Sequence, residues 1–229
     1  MLFAVAVTAI AVLAWQADQR AQAARRHALD ALARERGWAF SVEDPYRCSN
    51  LPFDLFERGD GSGSENVIAG RLADSTVVKA FDHWYYDVVS NGKTTRREYH
   101  RFSCVVIESA NQFPWLAVRP ESGWAPLRDL VGFRDLQLES DEFNRAFAVR
   151  TDDARFAVAV LDARLQSWLL QPARSAVWFE LRGPLALVIA ERLDPPLVGG
   201  LIDRAVDIRS RIPAVVTELY PPDAQGSSQ

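Results

Sequence analysis

Residues 2–15 form the longest apolar run of the chain, and Thr8 is its one polar position. As a helix with a rise of about 1.5 Å per residue, this run covers roughly 21 Å. The hydrocarbon core of a bilayer is about 30 Å thick, but Met1, Gln16 and Ala17 extend the segment enough for a thin or compressed membrane. The pattern predicts a transmembrane helix over residues 1–17, through which the chain binds the lipid bilayer.

Basic residues follow this run and none precedes it, since Arg20, Arg25 and Arg26 come next in the chain. The positive-inside rule then predicts a single-pass protein of the cell membrane with a cytoplasmic C-terminal domain. Two alternatives stay open. One is a secretory signal peptide with a cleavage site at Ala21-Gln22-Ala23, although a basic n-region is missing. The other is a buried helix of a soluble domain.

Residues 18–37 predict a helical stalk between this anchor and the rest of the chain. The segment is rich in Ala, Arg and Gln, which favour helices. Gly37 is suited to ending the helix, and Arg34 and Arg36 suit the negative end of its dipole. We expect the stalk to continue the anchor and to space the following domain.

Apolar segments separated by short runs of turn residues predict strands joined by tight turns in the next part of the chain. Three segments rich in β-branched and aromatic residues are Val67–Leu72, Thr76–Val89 and Thr95–Ser109. Asn91-Gly92 favours a two-residue type I′ turn, which pairs residues whose numbers sum to 183. The pairs expected from this register are Asp87 with Arg96, Asp82 with Arg101, Trp84 with Tyr99, and His83 with His100.

The remaining elements complete an α+β class, an antiparallel β-sheet domain packed with two helices over residues 38–219. Strands are expected at Trp115–Val118, at Asp135–Leu138, after Glu142, and in a hairpin of Ala176–Leu181 and Leu185–Glu191 turned by Arg182-Gly183-Pro184. One helix is capped by Asp152 or Asp153 and stops before Pro172, and the last begins after Pro195-Pro196 and ends or kinks at Pro213. Residues 220–229 are expected to be a disordered tail.

The run from Leu136 to Leu170, LQLESDEFNRAFAVRTDDARFAVAVLDARLQSWLL, carries a family resemblance. It resembles an uncharacterised family of bacterial membrane-anchored domains of unknown function, in which an L-E-S-x-x-F-N-x-x-F-x-V strand precedes a D-x-x-x-A helix. An upstream D-x-x-x-G strand of that family corresponds here to residues 65–70, with Asn66 in place of Asp. The resemblance covers about Val67 to Arg211 and implies an anchor, but no activity, cofactor or catalytic residue.

Composition narrows the possible partners. The chain has a net charge of −4 and a pI near 5.5, which disfavours nucleic-acid binding because that requires a concentrated basic face. Its two cysteines, Cys48 and Cys104, lack the spacing of a disulfide framework. We expect two buried free thiols, and no cofactor.

His83 and His100 are the sharpest candidates for chemistry. Opposed across the predicted hairpin, with Tyr85 and Glu98 on the same face, they could supply part of a zinc site. No third protein ligand is evident in the sequence, so a packed histidine pair is the favoured interpretation. No residue is predicted to be catalytic or to bind a cofactor.

The predicted function is a membrane-tethered, non-enzymatic binding or scaffold module at the cytoplasmic face of the membrane. Its partner is an unknown protein or lipid. One alternative is an exported envelope-binding domain released by signal-peptide cleavage. Another is an enzyme acting on an envelope substrate, with His83 and His100 as its first candidate residues.

Overall fold

A computed structural model describes residues 2–121, 136–171 and 178–222. Over these residues the chain forms one antiparallel sheet with helices packed on it, which confirms the α+β class. The strands are β1 (Ala39–Ser41), β2 (Gly61–Arg71), β3 (Val77–Ser90), β4 (Thr95–Pro120), β5 (Phe147–Thr151) and β6 (Trp178–Glu191). The helices are α1 (Leu2–Glu35), α2 (Asp141–Ala146), α3 (Ala154–Val160), α4 (Ala163–Leu169), α5 (Pro195–Arg211) and α6 (Ala214–Leu219).

The long strand β4 is the centre of the sheet. Its first half pairs with β3 and its last residues pair with β5, while β6 pairs along its other side. On the far side of β3, the order continues through β2 to β1. A strand this long accommodates the twist of the sheet through register shifts, which lie between Glu108 and Leu116.

The alternation of side chains along each strand gives the sheet two buried faces. The helix face, as we call the first, packs Ile68, Val78 and Val105 against the helices. The loop face, on the opposite side, packs Phe81 and Phe102 beneath the segment 48–57, which forms two short 3-10 turns. Both predicted thiols, Cys48 and Cys104, are buried and free in this second core.

The transmembrane prediction for the N-terminal segment is wrong. Within the described part of the chain, no helix is long and apolar enough to cross a membrane. The apolar run stops at Trp15, and Gln16, Asp18 and Arg20 follow it before the thickness of a hydrocarbon core is reached. The same finding overturns the prediction of a single-pass protein of the cell membrane with a cytoplasmic domain. It also overturns the predicted bilayer contact through residues 1–17.

The helix predicted over the stalk is present, because α1 runs without a break to Glu35 and ends before Gly37, which has a φ of 68°. It is more than a spacer, since its last turns belong to the core. Leu29 is 2% exposed and Ala33 is fully buried. Their spacing of four residues places them on one side of the helix, against the sheet and α5.

The predicted register of the β3–β4 hairpin is wrong by two residues. Ser90 pairs with Thr95, so the connection is the four-residue loop 91–94 and paired numbers sum to 185. Asn91 stabilises this longer loop, because its side-chain oxygen accepts hydrogen bonds from the backbone N–H groups of Lys93 and Thr94, at 3.1 and 2.9 Å. The pairs observed in place of the predicted ones are Asp87 with Glu98, Asp82 with Ser103, Trp84 with Arg101, His83 with Phe102, and Tyr85 with His100.

Several predicted boundaries also change. The hairpin expected around Gly183 is one bent strand, β6, in which Gly183 has a φ of 54° and lies opposite Phe113 of β4. The single helix expected before Pro172 is two helices, α3 and α4, capped separately by Asp153 and Asp162. The strand expected after Glu142 begins as helix α2, and residues 136–138 are not a strand.

Some predicted segments fall outside the described residues, namely the tail from 223, position 135 and the first residues of the hairpin at 176–177. Tyr220, assigned to the predicted tail, packs on the domain. Its hydroxyl donates a hydrogen bond to Asp153 Oδ2 at 3.0 Å, and its backbone oxygen accepts one from Asn111 Nδ2 at 2.8 Å.

We expect Gly70→Ala to lower the free energy of unfolding by about 1–3 kcal/mol, because its Cβ would lie 2.1 Å from Trp38 Cγ. The matched control is Gly200→Ala in α5, where a Cβ meets nothing within 4 Å. That change should stabilise the helix by up to about 1 kcal/mol. Urea denaturation followed by circular dichroism measures both, and equal effects of the two variants would contradict the packing described.

Candidate functional site

The structure places His83 and His100 on the same face of the sheet but not opposite each other. His83 is 1% exposed, its Nδ1 lies 3.2 Å from Ser64 Oγ, and its ring packs edge-on to Phe56 at 4.8 Å. Burial lowers the pKa of His83 to about 4. A neutral, enclosed imidazole of this kind serves as a packing residue.

His100 has a different environment. Its ring stacks on Tyr85 at 4.7 Å, and its Nε2 lies 3.2 Å from Asp87 Oδ2. Tyr85 also stacks on Phe102, the residue opposite His83, so an aromatic ring fills the space where a shared metal would sit. The described residues contain no group of three metal-ligating side chains. The geometry therefore separates the two histidines instead of joining them in a site.

A buried ion pair fastens α1 to the sheet. Arg25 donates from Nε and Nη2 to the two oxygens of Asp82, at 2.7 and 2.6 Å, and from Nη1 to the Leu193 oxygen at 2.6 Å. Asn66 Nδ2 donates to Asp82 Oδ2 at 2.9 Å. We call Arg25, Asp82 and Asn66 the clamp. Both charged members are less than 10% exposed, so the clamp is a structural contact of the core.

Asn66 enters the clamp through an irregularity of the backbone. The pairing of β2 with β3 shifts between Glu65 and Ile68, and Asn66 has a φ of 56° there. Asparagine tolerates this left-handed conformation better than most residues. Asn66 stands where the family pattern has an Asp. Its hydrogen bond to Asp82 could not be predicted from the sequence.

Glu180 is another buried charged residue, outside the clamp, that the sequence alone did not point to. It is fully buried on β6, and burial raises the pKa of its carboxyl group to about 8. The charge of Asp54 acts in the same direction, whereas the charge of Arg119 and the indole of Trp115 act against it. Since Glu180 has no exposed surface, it reaches no solvent-borne substrate in this conformation, despite a pKa suited to proton transfer.

An exposed cluster lies on the helix face of the sheet, beyond the clamp. It consists of Trp84, Tyr86, Arg97, Tyr99 and Arg101, which we call the aromatic-arginine face. The three rings contact one another, with centroids 6.4 Å apart for Trp84 and Tyr86, 6.0 Å for Trp84 and Tyr99, and 5.4 Å for Tyr86 and Tyr99. Tyr99 remains 48% exposed. The result is an aromatic surface that solvent reaches.

Two glycines of β2 allow the rings to lie against the sheet. Gly61 is opposite Tyr86 and Gly63 is opposite Trp84. A Cβ at these positions would lie 2.7 Å from the Tyr86 ring and 2.8 Å from the Trp84 ring. Any larger side chain would lift the rings, so the Gly-x-Gly pattern of β2 is the sequence signal for this surface. The strand predicted from the sequence begins only at Val67, six residues after the observed start of β2, and so leaves this pattern out.

The two arginines are held on the rings. Arg97 Cζ lies 4.6 Å from the centre of the Tyr86 ring, and Arg101 Cζ lies 5.6 Å from that of Tyr99. A hydrogen bond with Tyr99 raises the pKa of Arg97. Glu65 contributes a carboxylate at the edge of the face, 3.9 Å from Arg101. The face can therefore bind groups that accept hydrogen bonds or carry negative charge.

Comparison with known proteins gives a fold and no family. No family model matches the chain, and no curated protein matches its sequence. The crystal structure of the mycobacterial trehalose monomycolate transport factor A, TtfA, is similar, with a TM-score of 0.62 and 12% identity over 88% of this chain and 98% of that one. At this identity the likeness establishes the fold alone. The resemblance to bacterial membrane-anchored domains stays a prediction.

We expect Arg25→Met to lower the free energy of unfolding by about 3–5 kcal/mol, because it leaves Asp82 buried without its counter-ion. The control on the same helix is Arg34→Met, which removes an exposed ion pair with Asp30. The control should change stability by less than about 1 kcal/mol. Urea denaturation measures both, and a loss at Arg25 no larger than that at Arg34 would contradict the clamp.

We expect Glu180→Gln to flatten the dependence of stability on pH. The pKa of Glu180 is raised in the folded protein, so its contribution is fully present below about pH 4.5 and is lost as the pH rises towards 8. The loss approaches about 1.4 kcal/mol per pH unit within that interval. Urea midpoints at several pH values test this, with Glu142→Gln on α2 as an exposed control. Parallel pH profiles for parent and Glu180→Gln would refute it.

Proposed function

We propose that this chain is a non-enzymatic module that binds envelope lipids, and that the aromatic-arginine face is its lipid-binding surface. The fold likeness supports the lipid assignment, because it extends over nearly all of TtfA, a protein named as a trehalose monomycolate transport factor. Trehalose monomycolate is a glycolipid, with a polar sugar headgroup and a long acyl chain. A module of this fold with an exposed amphipathic surface fits a role in handling such molecules.

The observation that carries the proposal is the cluster of half-buried Trp84 and Tyr86 with exposed Tyr99, and the two arginines over its rings. Tyrosine and tryptophan combine an apolar body with a polar end, so they favour the boundary between lipid chains and water. Arginine adds donors for the oxygens of a headgroup. Exposed apolar rings lower the solubility of a protein, so such a surface is expected where the protein contacts a ligand.

The placement of the titratable groups favours binding over catalysis. His83 and Glu180 have pKa values shifted by burial, but both are enclosed in packed parts of the fold. The competing hypothesis of an enzyme acting on an envelope substrate had His83 and His100 as its first candidate residues, and the hairpin register does not place them opposite each other. An exported envelope-binding domain and a protein scaffold remain compatible with a binding module.

The test is flotation of the purified chain with lipid vesicles. Two kinds of phosphatidylcholine vesicle are used, one with trehalose monomycolate and one with phosphatidylglycerol. We expect the protein to float with at least one of them and to stay in the dense fraction with phosphatidylcholine alone. A Trp84→Ala/Tyr99→Ala variant should bind several-fold more weakly, because stacking on aromatic side chains contributes about 1 kcal/mol for each ring. A folded parent protein that floats with neither lipid would contradict the proposed function.

A further inference from the structure

We infer that the headgroup bound at the aromatic-arginine face carries negative charge, and that Arg97 and Arg101 bind it as a pair. This inference rests on the proposed function and names the class of lipid, an anionic phospholipid. It begins from the way in which the face holds its arginines. Each guanidinium lies over a ring of the aromatic cluster, so neither is a freely mobile surface charge.

Arg97 is the better prepared of the two. The Tyr86 ring supports its guanidinium, whose Cζ lies 4.6 Å from the ring centre. A guanidinium presents five N–H donors in a planar fork, and contact with a ring does not occupy them. Because the arginine is ordered before a ligand arrives, binding a phosphate costs less side-chain entropy than at an unsupported residue. Such a fork matches the paired oxygens of a phosphate.

Charge is divided between the two sides of the β3–β4 hairpin. Asp87 and Glu98 lie on the loop face, where Asp87 contacts His100 at 3.2 Å and Glu98 contacts Arg96 at 3.6 Å. The acidic groups of the hairpin end thus lie on the side opposite the aromatic-arginine face. On that face Arg101 lies near Glu65, and the carboxylate of Asp60 accepts a hydrogen bond from Val88 N–H at 2.7 Å. The guanidinium groups of Arg97 and Arg101 supply the positive charge that complements an anionic ligand.

The shape of the hairpin favours a headgroup attached to a lipid over a small free anion. β2 begins at Gly61, opposite Tyr86, so the ribbon of residues 87–98 extends past the last neighbouring strand on that side. Val88 lies opposite Arg97 and is 47% exposed. An apolar side chain beside the arginine pair contributes nothing to binding inorganic phosphate, but it can contact the acyl chain next to a bound phosphate.

The experiment compares charge variants on vesicles of stated composition. The parent, Arg97→Gln/Arg101→Gln, and the control Arg155→Gln/Arg164→Gln are floated with phosphatidylcholine vesicles, with and without phosphatidylglycerol. The control removes two exposed arginines at the starts of α3 and α4, far from the hairpin in sequence. Urea midpoints of all three proteins confirm that the substitutions leave the fold intact.

We expect the parent and the control to bind phosphatidylglycerol vesicles equally, and Arg97→Gln/Arg101→Gln to bind at least about tenfold more weakly. Parent binding should also weaken between about 0.05 and about 0.5 M salt, because the charges are exposed. Equal binding by both double variants would overturn the assignment of the arginine pair.

Two further arms separate this inference from the proposed function. Binding to uncharged trehalose monomycolate vesicles with none to phosphatidylglycerol would overturn the anionic headgroup and leave envelope-lipid binding in place. Binding to neither would overturn both. Binding of inorganic phosphate to the parent in calorimetry, without flotation on phosphatidylglycerol vesicles, would show a free-anion site and contradict the lipid assignment.

Discussion

The ion pair of Arg25 with Asp82 is the contact on which the arrangement of this fold depends. It joins the N-terminal helix to β3 across 57 positions of sequence, and the Leu193 carbonyl also brings in the chain just before α5. A buried charge pair is weak evidence for stability by itself, because desolvation offsets its attraction. Its value lies in specificity, since the helix, the sheet and the chain before α5 must all be in place for the three donors of Arg25 to reach their acceptors.

The clamp also marks the boundary between the core and the candidate binding surface. On β3, Val78 and Ala80 lie in the core before Asp82, and Trp84 and Tyr86 follow it on the same side of the strand. On this side of β3 the side chains therefore change, within a few residues, from packing in the core to forming part of the surface. Rigid placement of this kind allows rings and guanidinium groups to be ordered before a ligand binds, which lowers the entropic cost of recognition.

Local features of the fold were predictable from sequence because they depend on neighbouring residues. Strand alternation gave β2, β3 and β4, and Asp153 and Gly37 marked helix ends correctly. Long-range features were not predictable. Asn91-Gly92 is compatible with both a two- and a four-residue loop, and the side-chain hydrogen bonds of Asn91 select the longer one. The partner of Arg25 and the rings over the β2 glycines depend on tertiary contacts, so no pattern within one segment revealed them.

Hydrogen exchange of the whole chain, measured by mass spectrometry with and without phosphatidylglycerol vesicles, tests the central claim most directly. The claim is that lipid is bound at the aromatic-arginine face. It predicts slower exchange on vesicles for the exposed ribbon 87–98 and for the adjoining end of β2 at 61–63, with α3 and α4 unchanged. Slowing confined to the helices, with the ribbon exchanging as fast as in free protein, would contradict it.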